Sequence, residues 1–478
     1  MATRPRTMSP ENRLSRQSLI HFVGIGGSGM SAIARICLAQ GYRVSGSDIK
    51  ESVNTIRLKD LGAKIFYKHT ASNVRAVDLV VVSGAIDADN DEITGAQQNG
   101  IPVWRRAEML AELMAGFTHK ISVAGTHGKT STTSMVTAIL DAAQEHPTYL
   151  IGADMNDFGG NAALGSGPYF VAESDESDGS FLDLVPNVGI ITNIEAEHMN
   201  YFGDLDNLLD HFQRFAEGIF ERDGYVVVNM DDGYLSQMAR QWDSSKWVGF
   251  GLRNPAELGA ENIQFHKTGV SFDLLVNGEV KQNIKLKVYG QHNVYNALAA
   301  AGVGLREGLD LKTIAEGLEK FSGTRRRFQL IGQVRDITVM DDYGHHPTEI
   351  KATLSGARNS MNCRIVCVFQ PHRYTRTQYF MDDFAGAFES ADVVVITPIY
   401  AANEPAIPGV TSEKLGKLVQ AQHSGKVISC RQKSQVYTHL LAEIKPGDLV
   451  ITMGAGDIHT VAKELVARLK IEAGESRH

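Results

Sequence analysis

Residues 121–130 (ISVAGTHGKT) decide the fold: an apolar strand-like segment enters a glycine loop, and residues 131–144 continue with a helical pattern. A strand, a G-K-T loop and a helix in this order are typical of a phosphate-binding loop in an α/β domain. The common form has a further glycine where Val123 stands, so this loop is shorter. The pattern predicts ATP and Mg²⁺ as cofactors, because its lysine reaches the β- and γ-phosphates and its threonine hydroxyl reaches the metal. The predicted ATP-binding residues are Gly125, Thr126, His127, Gly128, Lys129 and Thr130.

Runs rich in valine and isoleucine alternate along the chain with longer helical patterns. Continuous apolar strands between helices indicate parallel sheets covered by helices on both faces. Between residues 262 and 288 the segments become shorter and alternate in polarity, which predicts a small antiparallel patch. The predicted strands are residues 19–24, 79–83, 121–125, 169–173, 188–193, 225–229, 337–341, 364–370, 393–398 and 449–454.

Two breaks in the pattern divide the chain. An amphipathic helical segment ends near residues 115–119, just before the strand that enters the glycine loop, and a Ser-Gly pair within residues 321–324 precedes a basic cluster. The resulting pieces have the usual size of domains. We therefore expect an α/β protein with a flexible tail at residues 1–17 and three domains, at residues 18–118, 119–322 and 323–478.

Another glycine loop lies near the N-terminus, where residues 24–30 (GIGGSGM) match G-x-G-x-x-G after a strand-like segment. Glycines permit a tight turn and let backbone N–H groups approach a pyrophosphate at the start of the next helix. Asp48 stands about where a dinucleotide fold places the carboxylate that holds a ribose hydroxyl. A plain strand-to-helix turn could carry the same glycines, but the strand, helix and acid together favour a nucleotide. The motif leaves the type of nucleotide open.

Carboxylates cluster where two of the predicted strands end. Residues 173–178 (ESDESD) hold four acids, and residues 192–198 (TNIEAEH) carry two acids beside His198. Runs of this kind are often solvated loops, but the carboxyl end of a parallel strand faces the ligand crevice. We therefore expect at least one of these acids to bind Mg²⁺, with His198 as a further candidate ligand.

The composition is that of an ordinary globular protein and argues against several classes. Acidic residues outnumber basic ones by 55 to 47, and the net charge is −8, which argues against binding nucleic acid or an anionic membrane through bulk charge. No apolar stretch reaches the ~20 residues of a membrane-spanning helix, and the basic N-terminus lacks the apolar region of a secretory signal. Because the four cysteines are too scattered for a disulfide framework, we expect free thiols and a cytoplasmic protein.

Several motifs, in this order, resemble those of the ATP-dependent Mur ligases of peptidoglycan synthesis: GTHGKT at 125–130, ESDES at 173–177, QHNVYN at 291–296 and DDYGHHP at 341–347. The N-terminal GIGGSGM and the FQPHRYTRT of residues 369–377 resemble the branch of the family that adds L-alanine. The resemblance covers essentially the whole chain beyond the predicted tail. It implies a Rossmann-like UDP-binding first domain, a P-loop ATPase-type central domain, and a Rossmann-like C-terminal domain that helps to bind the amino acid.

The reaction implied by the resemblance joins L-alanine to the carboxylate of UDP-N-acetylmuramate, with ATP, through an acyl phosphate. The first glycine loop would then hold UDP and not NAD. The predicted substrate-binding residues of the first domain are Gly24, Gly26, Gly27, Gly29, Asp48, His69 and Ser83. The residues implied for binding L-alanine are Tyr343, His345, His372, Arg373 and Arg376.

The resemblance also implies the metal ligands and the rest of the ATP site. Thr130 and Glu173 would hold one Mg²⁺, and Glu173 and His198 would reach a second. Sister ligases carry a lysine, often carbamylated, beyond the metal histidine, whereas residues 199–216 contain no lysine. The remaining implied ATP-binding residues are Asn293 and Asn296 at the adenine, Arg327 at a phosphate and Asp342 near the ribose. The predicted catalytic residues are Lys129, His198 and Arg376.

Three alternatives belong beside this interpretation. The closest is the ligase that attaches a preformed tripeptide to the same sugar nucleotide, although residues 369–377 favour a single amino acid. An NAD-dependent dehydrogenase built on residues 24–30 would leave the second glycine loop and the acidic run without a role. A non-catalytic nucleotide-binding regulator would not need the loop lysine together with metal ligands.

We expect small-molecule substrates, no nucleic acid, no membrane insertion, and a monomer or homodimer.

Overall fold

The computed structural model describes residues 14–158 and 160–473, and these divide into two compact units. The first unit runs to Glu261 and also contains Leu274–Gln282 and Tyr295–Leu318. The second contains Asn262–Asp273, Asn283–Val294 and the chain from Glu319 onward. Most of the predicted tail at residues 1–17 lies outside the described residues. The predicted domain boundaries at residues 118 and 322 stay predictions.

The first unit begins with five strands and four helices. They are β1 (Leu19–Val23), α1 (Ser28–Ala39), β2 (Arg43–Ser47), α2 (Val53–Asp60), β3 (Lys64–Phe66), β4 (Leu79–Val82), α3 (Asp91–Gln98), β5 (Val103–Arg105) and α4 (Arg106–Met114). The strands pair in parallel in the order β3-β2-β1-β4-β5. Side chains of β1 and β4 are buried on both faces, as expected for parallel strands between helices.

A ten-stranded sheet follows. Its strands are β6 (His119–Ala124), β7 (Thr148–Met155), β8 (Gly160–Ala163), β9 (Tyr169–Glu173), β10 (Val188–Ile191), β11 (Tyr225–Asn229), β12 (Trp247–Phe250), β13 (Leu258–His266), β14 (Gly269–Val276) and β15 (Glu279–Leu286). The helices are α5 (Lys129–Ala142), α6 (Met199–Phe202), α7 (Leu205–Phe220), α8 (Gly233–Ala239), α9 (Gln291–Arg306) and α10 (Leu311–Lys320). The strand order is β15-β14-β13-β12-β11-β10-β6-β9-β7-β8, so the patch predicted at residues 262–288 corresponds to the three strands at one edge.

The first two sheets share one hydrophobic core within the first unit. Apolar side chains of β1 and α1 belong to the same buried cluster as Leu150 of β7 and Phe170 and Ala172 of β9. Leu14, at the start of the described chain, also packs against this cluster. The edge of the ten-stranded sheet formed by β7 and β8 therefore packs against α1 of the first sheet.

The second unit contains a six-stranded sheet in the order β16-β17-β21-β18-β19-β20. Its strands are β16 (Gln329–Val334), β17 (Ile337–Asp342), β18 (Ile365–Phe369), β19 (Val393–Ile396), β20 (Lys426–Ser429) and β21 (Leu449–Met453). Its helices are α11 (Pro347–Ser360), α12 (Tyr374–Tyr379), α13 (Met381–Ala385), α14 (Ser412–Gln422), α15 (Ser434–Glu443) and α16 (His459–Glu472). The first two strands are antiparallel and the other pairs are parallel. Among the described residues, none of the helices is long and apolar enough to cross a membrane.

Candidate active site

The phosphate-binding loop lies between β6 and α5. The helix begins at Lys129, two residues earlier than the predicted start at residue 131, because Gly128 adopts φ +84° and turns the chain into the helix. Lys129 and Thr130 therefore lie in the first turn of α5. The first N–H groups of a helix have no partner inside it, so this turn is suited to bind an anion.

Strand order places this loop at a crevice. The strand β6 lies between β10 and β9. The strand that follows β6 in the chain, β7, lies toward one edge of the sheet, whereas the strand that follows β10, β11, lies toward the other edge. In parallel sheets ligands bind beyond the carboxyl ends of strands at such a point. The end of β10 also fixes the loop, since Thr192 Oγ1 donates to the carbonyl of His127 at 2.6 Å and Asn193 Oδ1 accepts from the His127 N–H at 2.8 Å.

Lys129 is held by two carbonyl groups and one buried acid. Its Nζ donates to the carbonyls of Gly125 at 2.5 Å and Thr126 at 3.1 Å, and it lies 2.9 Å from both oxygens of Glu176. Burial alone would lower the pKa of Lys129, but the carboxylates of Glu176 and Glu173 outweigh it and raise the pKa, so the lysine is charged. Burial raises the pKa of Glu176 to about 7, although Lys129 opposes this effect. A phosphate bound in the loop would replace Glu176 as the ion-pair partner of Lys129.

Thr130 and Glu173 meet as a pair of oxygen ligands. Thr130 Oγ1 donates to the two oxygens of Glu173 at 3.1 and 2.9 Å, and the N–H of Gly152 donates to Glu173 Oε2 at 2.7 Å. A hydroxyl and a carboxylate are hard oxygen donors of the kind that Mg²⁺ prefers, so this pair fits the metal. His198 precedes α6 with φ +57°, a conformation uncommon for a residue other than glycine. Its role as a metal ligand stays a prediction.

The two asparagines predicted at the adenine are both buried in α9. In the first unit, Asn296 Oδ1 accepts from Thr132 Oγ1 at 3.2 Å, and a side chain at Gly128 would contact it, so Asn296 lies against the phosphate-binding loop. In the second unit, Asn293 Nδ2 donates to the carbonyl of Tyr289 at 2.7 Å. Asn293 therefore supports the start of its own helix, and its contact with adenine stays a prediction.

Asp48 lies directly against the first glycine loop. Its Oδ2 accepts from the N–H of Gly26 at 2.8 Å, and Asn54 Nδ2 donates to the carbonyl of the same glycine at 2.9 Å. Asp48 therefore shapes the turn that Gly24, Gly27 and Gly29 belong to, in addition to the ribose contact that stays predicted. Ser83 directly follows β4 and is partly buried.

His69 belongs to a polar cluster around the buried side chain of Glu92 in the first unit. Ser47 Oγ donates to Glu92 Oε2 at 2.5 Å, His69 Nδ1 lies 3.0 Å from the same oxygen, and Asn73 Nδ2 donates to Oε1 at 2.6 Å. His21 Nε2 lies 3.3 Å from Oε1. Burial would raise the pKa of Glu92, but hydrogen bonds from these neighbours outweigh it and lower the pKa to about 2.

Two other predicted ATP-binding residues, Arg327 and Asp342, lie in the second unit at or near β17. The Arg327 side chain donates to Glu349 at 3.4 Å and lies over the ring of Tyr343, 5.3 Å from its centroid. Burial raises the pKa of Asp342 to about 6, although Arg327 opposes this and the N–H groups of Phe328 and Gly344 donate to its carboxylate. The neighbouring Arg326 pairs instead with Asp341 at 3.1 Å.

Four of the five residues predicted to bind L-alanine form one cluster. The rings of Tyr343 and His345 are 5.4 Å apart, those of His345 and His372 are 5.9 Å apart, and a guanidinium nitrogen of Arg376 lies 3.1 Å from His372 Nδ1. Burial, with Arg376 and Arg373, lowers the pKa of His372 to about 4, so it is neutral at pH 7. Arg373 adopts φ +69°, and its side chain is directed to Glu404, 4.0 Å away.

Two interactions of the acidic run at residues 173–178 were not predicted from the sequence. Glu176, which pairs with Lys129, belongs to the acidic run that was predicted, but composition does not tell which acid faces the loop. Arg106 ion-pairs with Asp175 of the same run at 3.1 Å, and the only sequence signal for it is a basic residue at the start of a helical pattern.

Comparison with known proteins identifies the family. Family models described as "Mur ligase family, catalytic domain", "Mur ligase middle domain" and "Mur ligase, glutamate ligase domain" match residues 19–118, 123–304 and 326–456. The UDP-N-acetylmuramate–L-alanine ligase of Pelotomaculum thermopropionicum is 44% identical over 96% of this chain and 99% of its own length. The enzyme of the same name from Dictyoglomus turgidum is 43% identical over 95% and 97%.

Solved structures agree with the sequence relatives. The UDP-N-acetylmuramate–alanine ligase of Thermotoga maritima matches with a TM-score of 0.82 and 31% identity, over 95% of this chain and all of that one. A murein peptide ligase from Psychrobacter arcticus matches with a TM-score of 0.69 and 26% identity, over 95% and 98%. The predicted three-domain α/β fold is thereby confirmed, and the chain belongs to the Mur ligase family.

Proposed function

We propose that the chain is an ATP-dependent ligase that joins L-alanine to the carboxylate of UDP-N-acetylmuramate in the synthesis of peptidoglycan precursors. The relatives named for this activity, which match nearly the whole chain, support the assignment. The observation that best supports this reaction is the position of Lys129, which is charged and is held at the start of α5 beside the Thr130–Glu173 pair. These groups face the point where a triphosphate would bind.

The reaction would proceed in two steps. A carboxylate oxygen of the sugar nucleotide attacks the γ-phosphorus of ATP, and the bond from this phosphorus to the oxygen of the β-phosphate breaks. ADP departs, and the sugar nucleotide now carries an acyl phosphate. The amine of L-alanine then attacks the acyl carbon, inorganic phosphate departs, and the amine loses a proton. Two anions meet in the first step, so the positive charge of Lys129 stabilises its transition state.

The remaining roles follow from the chemistry of the residues. Thr130 and Glu173 would hold one Mg²⁺, and Glu173 and His198 would reach a second, so that the two ions supply more positive charge at the phosphates. Arg376 would pair with the carboxylate of L-alanine, since a guanidinium binds a carboxylate through two parallel hydrogen bonds. His372 is neutral beside it and so does not repel that guanidinium.

The recycling ligase that adds a tripeptide is the less supported alternative, because the murein peptide ligase matches this structure less closely than the alanine-adding enzyme does. We propose that the protein acts in the cytoplasm, where ATP and nucleotide sugars are available. The molar mass of the protein in solution would distinguish a monomer from a homodimer.

Phosphate release tests the proposal. The full chain is incubated with ATP, Mg²⁺, UDP-N-acetylmuramate and either L-alanine or the tripeptide, and each component is omitted in turn. We expect release that requires all components and is fastest with L-alanine. Release that prefers the tripeptide would favour the recycling activity, and release that ignores the sugar nucleotide would reject both.

A further inference from the structure

Arg106 lies between the first glycine loop and the acidic run beside the phosphate-binding loop. It is the first residue of α4, and its side chain donates from NH2 to Asp175 Oδ2 at 3.1 Å. Its other terminal nitrogen, NH1, faces Gly29, because a Cβ atom built there would lie only 2.9 Å away. One nitrogen is thus held by an acid while the other is directed at the turn.

The glycine at position 29 is explained by this approach. Gly29 is the second residue of α1, and its φ is not positive, so the turn does not demand a glycine there. Alanine is favoured over glycine inside helices. A methyl group at Gly29 would, however, occupy the space next to the guanidinium. The absence of a side chain therefore gives Arg106 access to the start of α1.

Two sources of positive potential converge at this place. The first N–H groups of α1 have no partner within the helix and carry the positive end of its dipole. The Arg106 side chain is 26% exposed, so a ligand in the loop can reach it. A guanidinium presents a planar fork of donors that matches phosphate oxygens in pairs. A diphosphate is the ligand that both features suit.

We propose that Arg106 binds the diphosphate of the sugar nucleotide and that Asp175 positions its guanidinium for this contact. The inference rests on the proposed function, since it names a contact for the substrate of that reaction. Asp175 lies between Glu173 and Glu176, which contact Thr130 and Lys129. The same six-residue segment therefore orients groups for both nucleotides.

Binding of UDP and of uridine to the full chain, without ATP or Mg²⁺, tests the contact. We expect Arg106→Ala to weaken UDP binding by roughly tenfold or more, since hydrogen bonds to a charged group are lost, and to change uridine binding less than about twofold. The matched control is Arg105→Ala: this neighbouring arginine pairs with Asp183 at 2.8 Å and is more exposed, so UDP binding should stay unchanged.

Each outcome separates the two levels of the proposal. A wild-type chain that does not bind UDP contradicts the proposed function itself. A wild-type chain that binds UDP, with an Arg106→Ala variant that binds it equally well, overturns only the role of Arg106. Equal losses of UDP and uridine also overturn it, because they indicate a change in the shape of the pocket and not a lost phosphate contact.

The role of Asp175 is tested by replacing it in the wild-type chain and in the Arg106→Ala variant. Asp175→Asn should weaken UDP binding by roughly threefold in the wild-type chain and should have no further effect in Arg106→Ala, because contacting residues that act together are not additive. The same loss in both backgrounds contradicts a positioning role for Asp175.

Discussion

Glu92→Gln tests whether the polar cluster around this buried residue is held together by an ionised carboxylate. The Glu92 side chain is fully buried, and its neighbours lower its pKa from 4.5 to about 2. An acid whose pKa is lower in the folded than in the unfolded state stabilises the fold when it is ionised. That contribution is complete well above pH 4.5 and is lost as the pH falls toward 2.

The size of the effect follows from the two pKa values. Their difference of about 2.5 corresponds to about 3 kcal/mol at pH 7 and about 1 kcal/mol at pH 3, where the unfolded chain has already taken up the proton. Glutamine keeps the volume but cannot carry the charge. The variant should therefore be less stable than the wild type by about 3 kcal/mol at pH 7, and this gap should shrink to about 1 kcal/mol at pH 3.

Hydrogen exchange followed by mass spectrometry, on peptides that cover β1 and β2, measures the local opening free energy without assuming that the whole chain unfolds in one step. Glu51→Gln is the control, since Glu51 is exposed on the same unit and should change stability by less than about 0.5 kcal/mol. A gap between wild type and Glu92→Gln that is equal at pH 7 and pH 3 would refute the reasoning.

Three further predictions concern the proposed reaction. Lys129→Ala should lower the ligation rate by ~10³-fold or more, because the transition state loses a positive charge, and near-normal turnover in a phosphate-release assay would remove the ATP-site assignment. Glu173→Gln should move the Mg²⁺ dependence of turnover to higher concentration, and an unaltered metal titration would count against Glu173 as a ligand. Asp48→Ala should raise the KM for the sugar nucleotide more than that for ATP, since Asp48 shapes the loop at Gly26; an unchanged KM for the sugar nucleotide would reject that role.

Local patterns predicted the parts of the fold that depend on neighbours in sequence. The strand before each glycine loop, the loop itself and the following helix were predictable from apolar runs and glycines. The start of α5 at Lys129 was missed, because it depends on the positive φ of Gly128, which hydrophobic periodicity does not report. The edge strands near residues 262–288 were visible as a change in alternation.

The partners of the site residues were less predictable, because they come from distant parts of the chain. The acidic run after β9 was evident, yet only the path of the backbone decides that Glu176 faces Lys129 while Asp175 faces Arg106. The polar cluster around Glu92 gathers residues from β1, β2 and α3. Glu92 was not predicted as part of it, since an acid in a helical pattern normally faces water.

The core shared by the first two sheets has a consequence for truncated versions of the protein. A fragment cut at residue 118 would leave Leu150, Phe170 and Ala172 without the apolar surface of α1 that now covers them. The fragment that begins after residue 118 would expose these apolar side chains and tend to aggregate. The ATP-binding part should therefore be produced together with the residues that precede it.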